Sequence, residues 1–162
     1  MRGFIPRVGG ALVLGVAVVM VAFVVGMRRK SPLVRNAVRK FSRATRGFTV
    51  GSAGTPGSYA SIVRHAGRTS GRVYETPVQA AASDDGFVIA LPYGTGSDWV
   101  KNVLAAGKAT IISDGGEHEV DQPEIVGSGD AARFFAAKDQ RTQRLFGVDE
   151  YLRVHATLDL TA

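Results

Sequence analysis

Twenty consecutive uncharged residues near the N-terminus set the first limit on the fold of this chain. They lie between Arg7 and Arg28 and read VGGALVLGVAVVMVAFVVGM. A helix rises about 1.5 Å per residue, so this run would span roughly 30 Å, the thickness of a bilayer's hydrocarbon core. We therefore expect a transmembrane helix over residues 8–27, preceded by an N-terminal tail at 1–7.

A cleaved signal peptide is the alternative interpretation of this segment. The apolar region of a signal peptide usually has about 7–15 residues and ends in a small-x-small cleavage site. Here the run is longer, no good Ala-x-Ala site follows it, and the basic cluster Arg28-Arg29-Lys30 begins directly after it. These features favour an uncleaved membrane anchor.

The distribution of charge predicts the orientation of that anchor. The chain has 20 basic and 14 acidic residues, and 13 of the basic ones but no acidic one precede Glu75. Eight Lys or Arg side chains follow the apolar run within about 20 residues, whereas two precede it. The positive-inside rule thus predicts a single-pass membrane protein with a cytoplasmic C-terminal domain. The division into a basic and an acidic part argues against a uniformly basic nucleic-acid binder, and lipid is the polyanion nearest to the basic segment, so no nucleic-acid partner is predicted.

Two segments connect the anchor to the rest of the chain. Within residues 28–46, Leu33, Val34 and Phe41 belong to an apolar face and the arginines to the opposite face, so we expect a basic amphipathic helix on membrane lipid. Packing of this helix on the C-terminal domain is the alternative. Residues 47–58 contain four glycines and a proline, which is typical of a linker.

Residues 59–162 predict a mostly β domain with short helices, an α+β fold. Alternation and turn signals predict six strands, at Tyr59–Ala66, Arg72–Ala82 with an interruption at Pro77, Phe87–Leu91, Ala109–Ser113, Glu117–Val126 and Tyr151–Leu160. One helix is predicted from a cap at Ser97 or Asp98 to Gly107, and another from a cap at Ser128 through Phe134, Phe135 and Ala137. Such a pattern favours a small antiparallel barrel. A domain of this size buries only about 60–70% of its unfolded surface, so a homodimer or docking on the membrane would stabilise it.

Several kinds of catalytic site are excluded by composition or spacing. The chain has no cysteine, which excludes disulfides, thiolate nucleophiles and cysteine metal sites. Its three histidines, His65, His118 and His155, have no metal-ligand spacing, so no metal site is predicted. Ser70 and Ser97 lack the context of a hydrolase triad. No catalytic residue is assigned.

Two glycine-rich clusters could hold a ligand. The hairpin from His65 to Gly71 combines freed backbone amides, a hydroxyl and guanidinium groups, as a phosphate site requires, although many surface hairpins have this composition. The loop from Tyr93 to Trp99 leads from a strand into a helix N-terminus, where N–H groups favour anions. The alternative for this loop is that Trp99 is simply a core residue.

Taken together, these clusters resemble one known family. The residues that carry the resemblance are His65-x-Gly-Arg-x-Ser-Gly71 with Tyr74, Thr76, Pro77 and Val78, then Phe87-Val-Ile-Ala-Leu-Pro-Tyr-Gly94, Ser97-Asp-Trp-Val-Lys-Asn102 and Ala105-Ala-Gly107. The pattern is similar to the deazaflavin-dependent nitroreductase and quinone reductase family, which is actinobacterial and uses coenzyme F-420. The resemblance implies a split β-barrel of the flavin-reductase type. It also implies an oxidoreductase in which reduced F-420 is the hydride donor and a quinone or nitro compound is the acceptor.

The resemblance also implies which residues bind the cofactor. Arg68, Ser70 and Gly71 would hold its phosphate-bearing tail, with Arg72 as an additional cation; Thr76, Pro77 and Val78 would line the ring, with Leu91, Pro92, Tyr93 and Gly94 opposite, and Trp99 and Asn102 would come from the helix. Water or Tyr93 could supply a proton to a reduced quinone.

The chain departs from the family at a few positions. Thr69, Tyr74 and Gly94 stand where relatives often carry basic residues. Phe134 and Phe135 stand where relatives can line the acceptor pocket with tyrosines, which favours a lipophilic acceptor such as a quinone. The alternative is a non-catalytic barrel that binds F-420 or an acyl lipid at the membrane; a barrel that binds FMN or haem is a further alternative.

Overall fold

The computed structural model describes residues 8–29, 31 and 52–157. The helices are α1 (Val8–Arg28), α2 (Asp98–Ala106), α3 (Ser128–Ala131) and α4 (Ala137–Phe146), and a 3₁₀ turn at Ala132–Phe134 follows α3. The strands are β1 (Ser61–Ala66), β2 (Val73–Val78), β3 (Ala80–Ser83), β4 (Gly86–Ala90), β5 (Lys108–Ser113), β6 (Gly116–Gly127) and β7 (Glu150–Ala156).

The strands form one antiparallel sheet that curls into a half-barrel. Their order is β2-β1-β5-β6-β7-β4-β3. The two edge strands, β2 and β3, are consecutive in sequence and separated only by Gln79. The two edges of the sheet therefore meet at Gln79, which gives a split-barrel architecture of the kind that the resemblance implies.

The structure has seven strands where about six were predicted, because the segment Arg72–Ala82 contains two of them. The interruption falls at Gln79 and not at Pro77. Pro77 instead pairs with Ile62 inside β2. Since β2 is an edge strand, the missing N–H of a proline can be tolerated there.

Strand β4 explains why the half-barrel has two cores. Successive side chains of a strand point to opposite faces. Phe87 and Ile89 belong to a core cluster that also includes side chains of α2, β1, β5 and β7. Val88 and Ala90 belong to a second cluster, which includes side chains of α3 and Phe135. Because both faces of β4 are covered, its sequence is apolar throughout.

A bulge bends the longest strand. Strand β6 pairs with β5 through Gly116–Asp121 and with β7 through Val120–Gly127, and its register with β7 shifts between Asp121 and Glu124. Gln122 has φ of 49°, a left-handed conformation that suits such an irregularity. The bend allows β6 to pair with β5 through its first half and with β7 through its second half while the sheet curves.

The helices match the prediction in part. Helix α2 begins after Ser97 and ends at Gly107, whose φ of 70° is that of a left-handed cap. The helix predicted from Ser128 through Phe134 and Phe135 is instead the short α3 followed by the 3₁₀ turn. Helix α4 was not predicted at all.

The N-terminal predictions are only partly within the described residues. Helix α1 coincides with the predicted span, but its side chains are described only from Val18 onward. Among the residues so described, none of the helices is both long and apolar enough to cross a membrane. The tail at 1–7 and residues 32–46 of the amphipathic segment lie outside the described residues, and the membrane anchor stays a prediction.

Part of the predicted linker lies against the sheet. The amide of Gly54 donates to the carbonyl of Ala60, the amide of Gly115 donates to Gly54, and the amide of Gly57 donates to the carboxylate of Asp114. Residues 52–58 thus pack on the turn between β5 and β6, whereas residues 47–51 lie outside the described part of the chain.

Candidate functional site

A cavity of about 840 Å³ opens where the two edges of the half-barrel meet. Its wall comes from the β1–β2 hairpin, from β2 and Gln79, from the loop after β4, and from α2 and α4. Its volume is within the range of about 300–1,000 Å³ that is common for small-molecule sites. Most of the exposed wall surface is apolar, and two networks of hydrogen-bonded side chains cross it.

Most of the residues implied by the resemblance line this cavity. They are Arg68, Ser70, Thr76, Pro77, Val78, Leu91, Pro92, Tyr93, Gly94, Trp99 and Asn102. The wall brings together parts of the hairpin, of an edge strand, of a loop and of a helix. These four stretches are separate in the sequence, and only the fold brings them together.

Gly71 and Arg72 do not line the cavity. Gly71 lies in the tight turn of the hairpin with φ of 65°, and Arg72 is exposed beyond it. Arg68 is consequently the one guanidinium among the described lining residues.

Phe134 and Phe135 also lie outside the cavity. Phe135 is buried in the second core, with its ring 5.7 Å from that of Tyr151, and Phe134 packs against the same core. The reason is that α3 and the 3₁₀ turn cover the outer face of the sheet. The aromatic residue that lines the cavity from the late helices is Phe146, on α4.

The first polar group of the wall is centred on Asn102. This side chain is buried, and its carbonyl oxygen accepts from the backbone N–H of Arg68 at 3.2 Å and from Arg68 Nη1 at 2.8 Å. Its amide nitrogen donates to Nδ1 of the buried His65 at 3.2 Å. The His65 proton therefore lies on Nε2, which donates to the hydroxyl of Thr76 at 3.3 Å.

The guanidinium of Arg68 is also paired with Asp98. Nη2 lies 3.3 Å from Asp98 Oδ1, and Nη1 donates to the backbone carbonyl of Asp98 at 3.3 Å. Asp98 is the first residue of α2 and the one carboxylate among the described lining residues. The candidate anion-binding cation thus faces a carboxylate of its own chain.

The second polar group is a chain of hydrogen bonds that we call the glutamine bridge. Tyr151 donates to Gln143 Oε1 at 2.9 Å, and Gln143 Nε2 donates to Gln79 Oε1 at 3.1 Å. Gln79 Nε2 then donates to the hydroxyl of Tyr59 at 2.6 Å, and Tyr59 donates to Asp139 at 3.2 Å. The bridge ties α4 to the point where the two sheet edges meet.

Burial and nearby carboxylates keep the two tyrosines of the bridge protonated. Burial is the larger cause of a raised pKa at Tyr151, and Asp149 adds to it. Burial likewise raises the pKa of Tyr59, with a further contribution from Asp139. Both hydroxyls therefore stay protonated, and remain hydrogen-bond donors, to a higher pH than an ordinary tyrosine.

Tyr59, Gln79 and the lining residues of α4 belong to no motif that pointed to the cavity. Gln79 directly follows Thr76-Pro77-Val78, so extension of that motif by one residue would have included it. Gln143 lies in a helix whose sequence, AKDQRTQRLF, has no apolar stripe. Its burial depends on contacts with residues 8 and 64 positions away, for which no local signal exists.

Helix α1 reaches the outer side of the cavity wall. The ring of Phe23 lies 6.1 Å from that of Phe146 in an edge-on arrangement, and Met27 is buried. Because Phe146 also lines the cavity, one aromatic side chain separates α1 from the cavity.

Among the described residues, no group of three or more His, Asp or Glu side chains is arranged to hold a metal ion. His65 is the histidine of the cavity wall, and both of its ring nitrogens are hydrogen-bonded. In this arrangement it does not offer a free nitrogen to a haem iron.

The fold and the cavity define an antiparallel split-barrel protein with a cavity large enough for a small-molecule ligand. Comparison with known proteins adds solved structures of this kind. No family model matches the chain, and no curated protein matches its sequence. A structure described as a domain-swapped dimer is 12% identical with a TM-score of 0.50, covering 77% of this chain and 100% of its own. That similarity shows the fold alone.

Two further solved structures have lower TM-scores. One named F420 reductase is 12% identical with a TM-score of 0.45, covering 66% of this chain and 91% of its own. The other, protein Atu2129 of unknown function from Agrobacterium tumefaciens str. C58, is 16% identical with a TM-score of 0.44, covering 70% of this chain and 53% of its own.

Proposed function

We propose that this chain is an oxidoreductase that binds reduced coenzyme F-420 in the cavity and transfers a hydride to a lipophilic acceptor such as a quinone. One observation carries the proposal. The residues that the motif resemblance implies for the cofactor come from separate stretches of chain, and all of them except Gly71 and Arg72 line the same cavity.

The cavity fits the ring of such a cofactor better than its tail. Pro77, Val78, Leu91, Tyr93 and Trp99 contribute largely apolar surface to the wall, which suits a flat ring system. An anionic tail finds one guanidinium, that of Arg68, and the hydroxyl of Ser70. Arg68 and Ser70 could therefore bind the anionic tail, but charge would contribute only modestly to the affinity for the cofactor.

Bound F-420 would supply the hydride, and the protein would supply position and exclusion of water. The ring would lie against the wall from Thr76 to Val78 and that from Leu91 to Gly94. Reduction of a quinone to a hydroquinone takes up one hydride and one proton, and the proton would come from water or from the hydroxyl of Tyr93. Gln79 and Gln143 would offer amide groups to a polar part of the acceptor.

The contact between Phe23 and Phe146 supports a lipophilic acceptor. If α1 is the membrane anchor, as its sequence predicts, the cavity wall at Phe146 lies next to the membrane-embedded helix. An acceptor dissolved in the bilayer would then be within reach of a domain on the cytoplasmic side. A homodimer is part of the proposal and is compatible with the fold of the neighbour described as a domain-swapped dimer.

A non-catalytic module that binds F-420 or an acyl lipid is the second candidate. The pairing of Arg68 with Asp98 favours this candidate. The anionic tail of the cofactor must compete with the Asp98 carboxylate for Arg68, which would weaken binding of F-420. FMN is an alternative ligand for the same apolar walls.

The test uses the full-length chain purified in mild detergent. We expect F-420 to quench Trp99 fluorescence in a saturable titration, and Arg68→Ala to weaken binding about tenfold, since a hydrogen bond to a charged group is lost. Arg72→Ala is the matched control, because the same turn carries this arginine outside the cavity; its effect should be below about twofold. FMN is titrated in parallel.

Turnover then separates the two candidates. Oxidation of reduced F-420 by a lipid-soluble quinone, followed by absorbance, supports the oxidoreductase. Saturable binding without oxidation supports the binding module. If F-420 does not bind, or if Arg68→Ala and Arg72→Ala behave alike, the proposed use of this cavity is wrong.

A further inference from the structure

The side chain of Arg68 is held by two residues of α2 that play different roles. Asn102 is buried and accepts from both the guanidinium and the backbone N–H of Arg68. Asp98 is at the surface, with 62% of its side chain exposed, and contacts the guanidinium from the open side. Asn102 therefore holds Arg68 from within the core, whereas the Asp98 carboxylate pairs with it at the surface, where a ligand can also approach.

No other described lining residue carries a guanidinium or a carboxylate, so the charge of the wall depends on Arg68 and Asp98. Their charges offset each other before any ligand binds. A phosphate that approaches Arg68 must replace the carboxylate or lie next to it, and both arrangements cost free energy.

We propose that Asp98 is a built-in competitor for Arg68 that lowers the affinity of the cavity for phosphate-bearing ligands. The inference rests on the proposed function for the identity of the ligand, but not for the competition itself. Asp98 would then determine specificity. Ligands without an anionic group would bind equally well with or without its carboxylate, whereas ligands with a phosphate would bind more weakly when the carboxylate is present.

The expected gain in affinity is small because the side chains of Arg68 and Asp98 are both exposed to solvent. Two unit charges about 4 Å apart interact only weakly when the groups are near water. Removal of the carboxylate charge by Asp98→Asn should therefore strengthen binding of a phosphate-bearing ligand about fivefold. Because the pair is accessible to solvent, the gain should diminish at high salt.

Two probes are titrated into the full-length chain by calorimetry. Inorganic pyrophosphate tests the anion site alone, and F-420 tests it together with the ring. The variants are Asp98→Asn, Asp98→Ser as a second replacement, and Asp130→Asn as the control. Asp130 is also in the first turn of a helix and changes the net charge equally, but it does not line the cavity. We expect the gain for both Asp98 variants and less than about a twofold change for the control.

An Arg68→Ala background distinguishes competition from simple repulsion. If Asp98 acts by occupying Arg68, Asp98→Asn should gain less than about twofold once the arginine is absent. A gain that persists at about fivefold in this background would overturn the competition.

The two probes also separate this inference from the proposed function. A gain with pyrophosphate but no binding of F-420 to any variant supports the competition and rejects F-420. Equal binding of both probes to the wild type and Asp98→Asn rejects the competition and leaves the proposed function intact. If neither probe binds to any variant, Arg68 is not an anion site and the inference is wrong.

Discussion

The two halves of the cavity wall are held together in different ways. The hairpin half consists of residues 65–76 and 91–102, and within it His65 and Arg68 both bond to the buried Asn102. The helix half consists of Tyr59, Gln79 and α4, and its polar side chains form the glutamine bridge, in which each member bonds only to the next. Loss of Asn102 would break three of these bonds at once, whereas loss of one member of the bridge would break at most two and leave the others intact.

The largest effect should follow a change at the centre of the hairpin half. Asn102→Ala removes the acceptor of two Arg68 donors and the donor to His65. Since buried groups left without partners cost about 1–3 kcal/mol each, we expect the free energy of unfolding to fall by about 3 kcal/mol. Urea unfolding of the full-length protein in detergent measures this change.

Asn102→Asp is the informative control for this prediction. It keeps an oxygen that can accept from Arg68 but replaces the group that donates to His65. We expect a smaller loss of stability than with alanine. Equal losses for both variants would mean that the acceptor role of Asn102, and with it the central role in the hairpin half, is unimportant.

A change in the glutamine bridge should have the next largest effect. Gln143→Ala removes an acceptor from the buried Tyr151 and a donor from Gln79, so we expect a loss of about 2 kcal/mol in the same measurement. Arg141→Ala is the matched control, because this side chain is exposed on the same helix and arginine and alanine have similar helix propensities. The bridge contributes nothing if both variants unfold alike.

The motifs that carry the resemblance include most of the hairpin half of the cavity wall and none of the helix half. The buried run of β4 and the cap of α2 are local signals, since both depend on neighbouring residues. The glutamine bridge joins Gln79 to Gln143, 64 positions away, and such a pairing leaves no periodic pattern. Phe134 and Phe135 were assigned to the pocket by position in the chain. The structure instead has a second helix after them, whose Phe146 faces the cavity.

The position of Phe146 between α1 and the cavity predicts a smaller effect on stability with a specific effect on the acceptor. Phe146→Leu loses part of the contact with Phe23, and we expect about 1 kcal/mol of destabilisation because the ring is only half-buried. F-420 binding should change less than twofold, whereas the KM for a lipid-soluble quinone should rise severalfold. An equal change for a water-soluble quinone would argue against a role of this aromatic pair in acceptor access.

The smallest effect concerns pH and is confined to the helix half. The pKa of Tyr151 is raised in the folded state, chiefly by burial, so the folded protein holds this proton more tightly than the unfolded chain does. Its contribution to stability is therefore complete below the ordinary tyrosine pKa of about 10 and is lost as the pH rises through the higher folded value. We expect the difference in unfolding free energy between the wild type and Tyr151→Phe to be about 1 kcal/mol at pH 8 and to shrink above about pH 10. Other alkaline titrations cancel in this difference, so a value that stays constant to pH 11 would mean that the tyrosine is not the titrating group of the bridge.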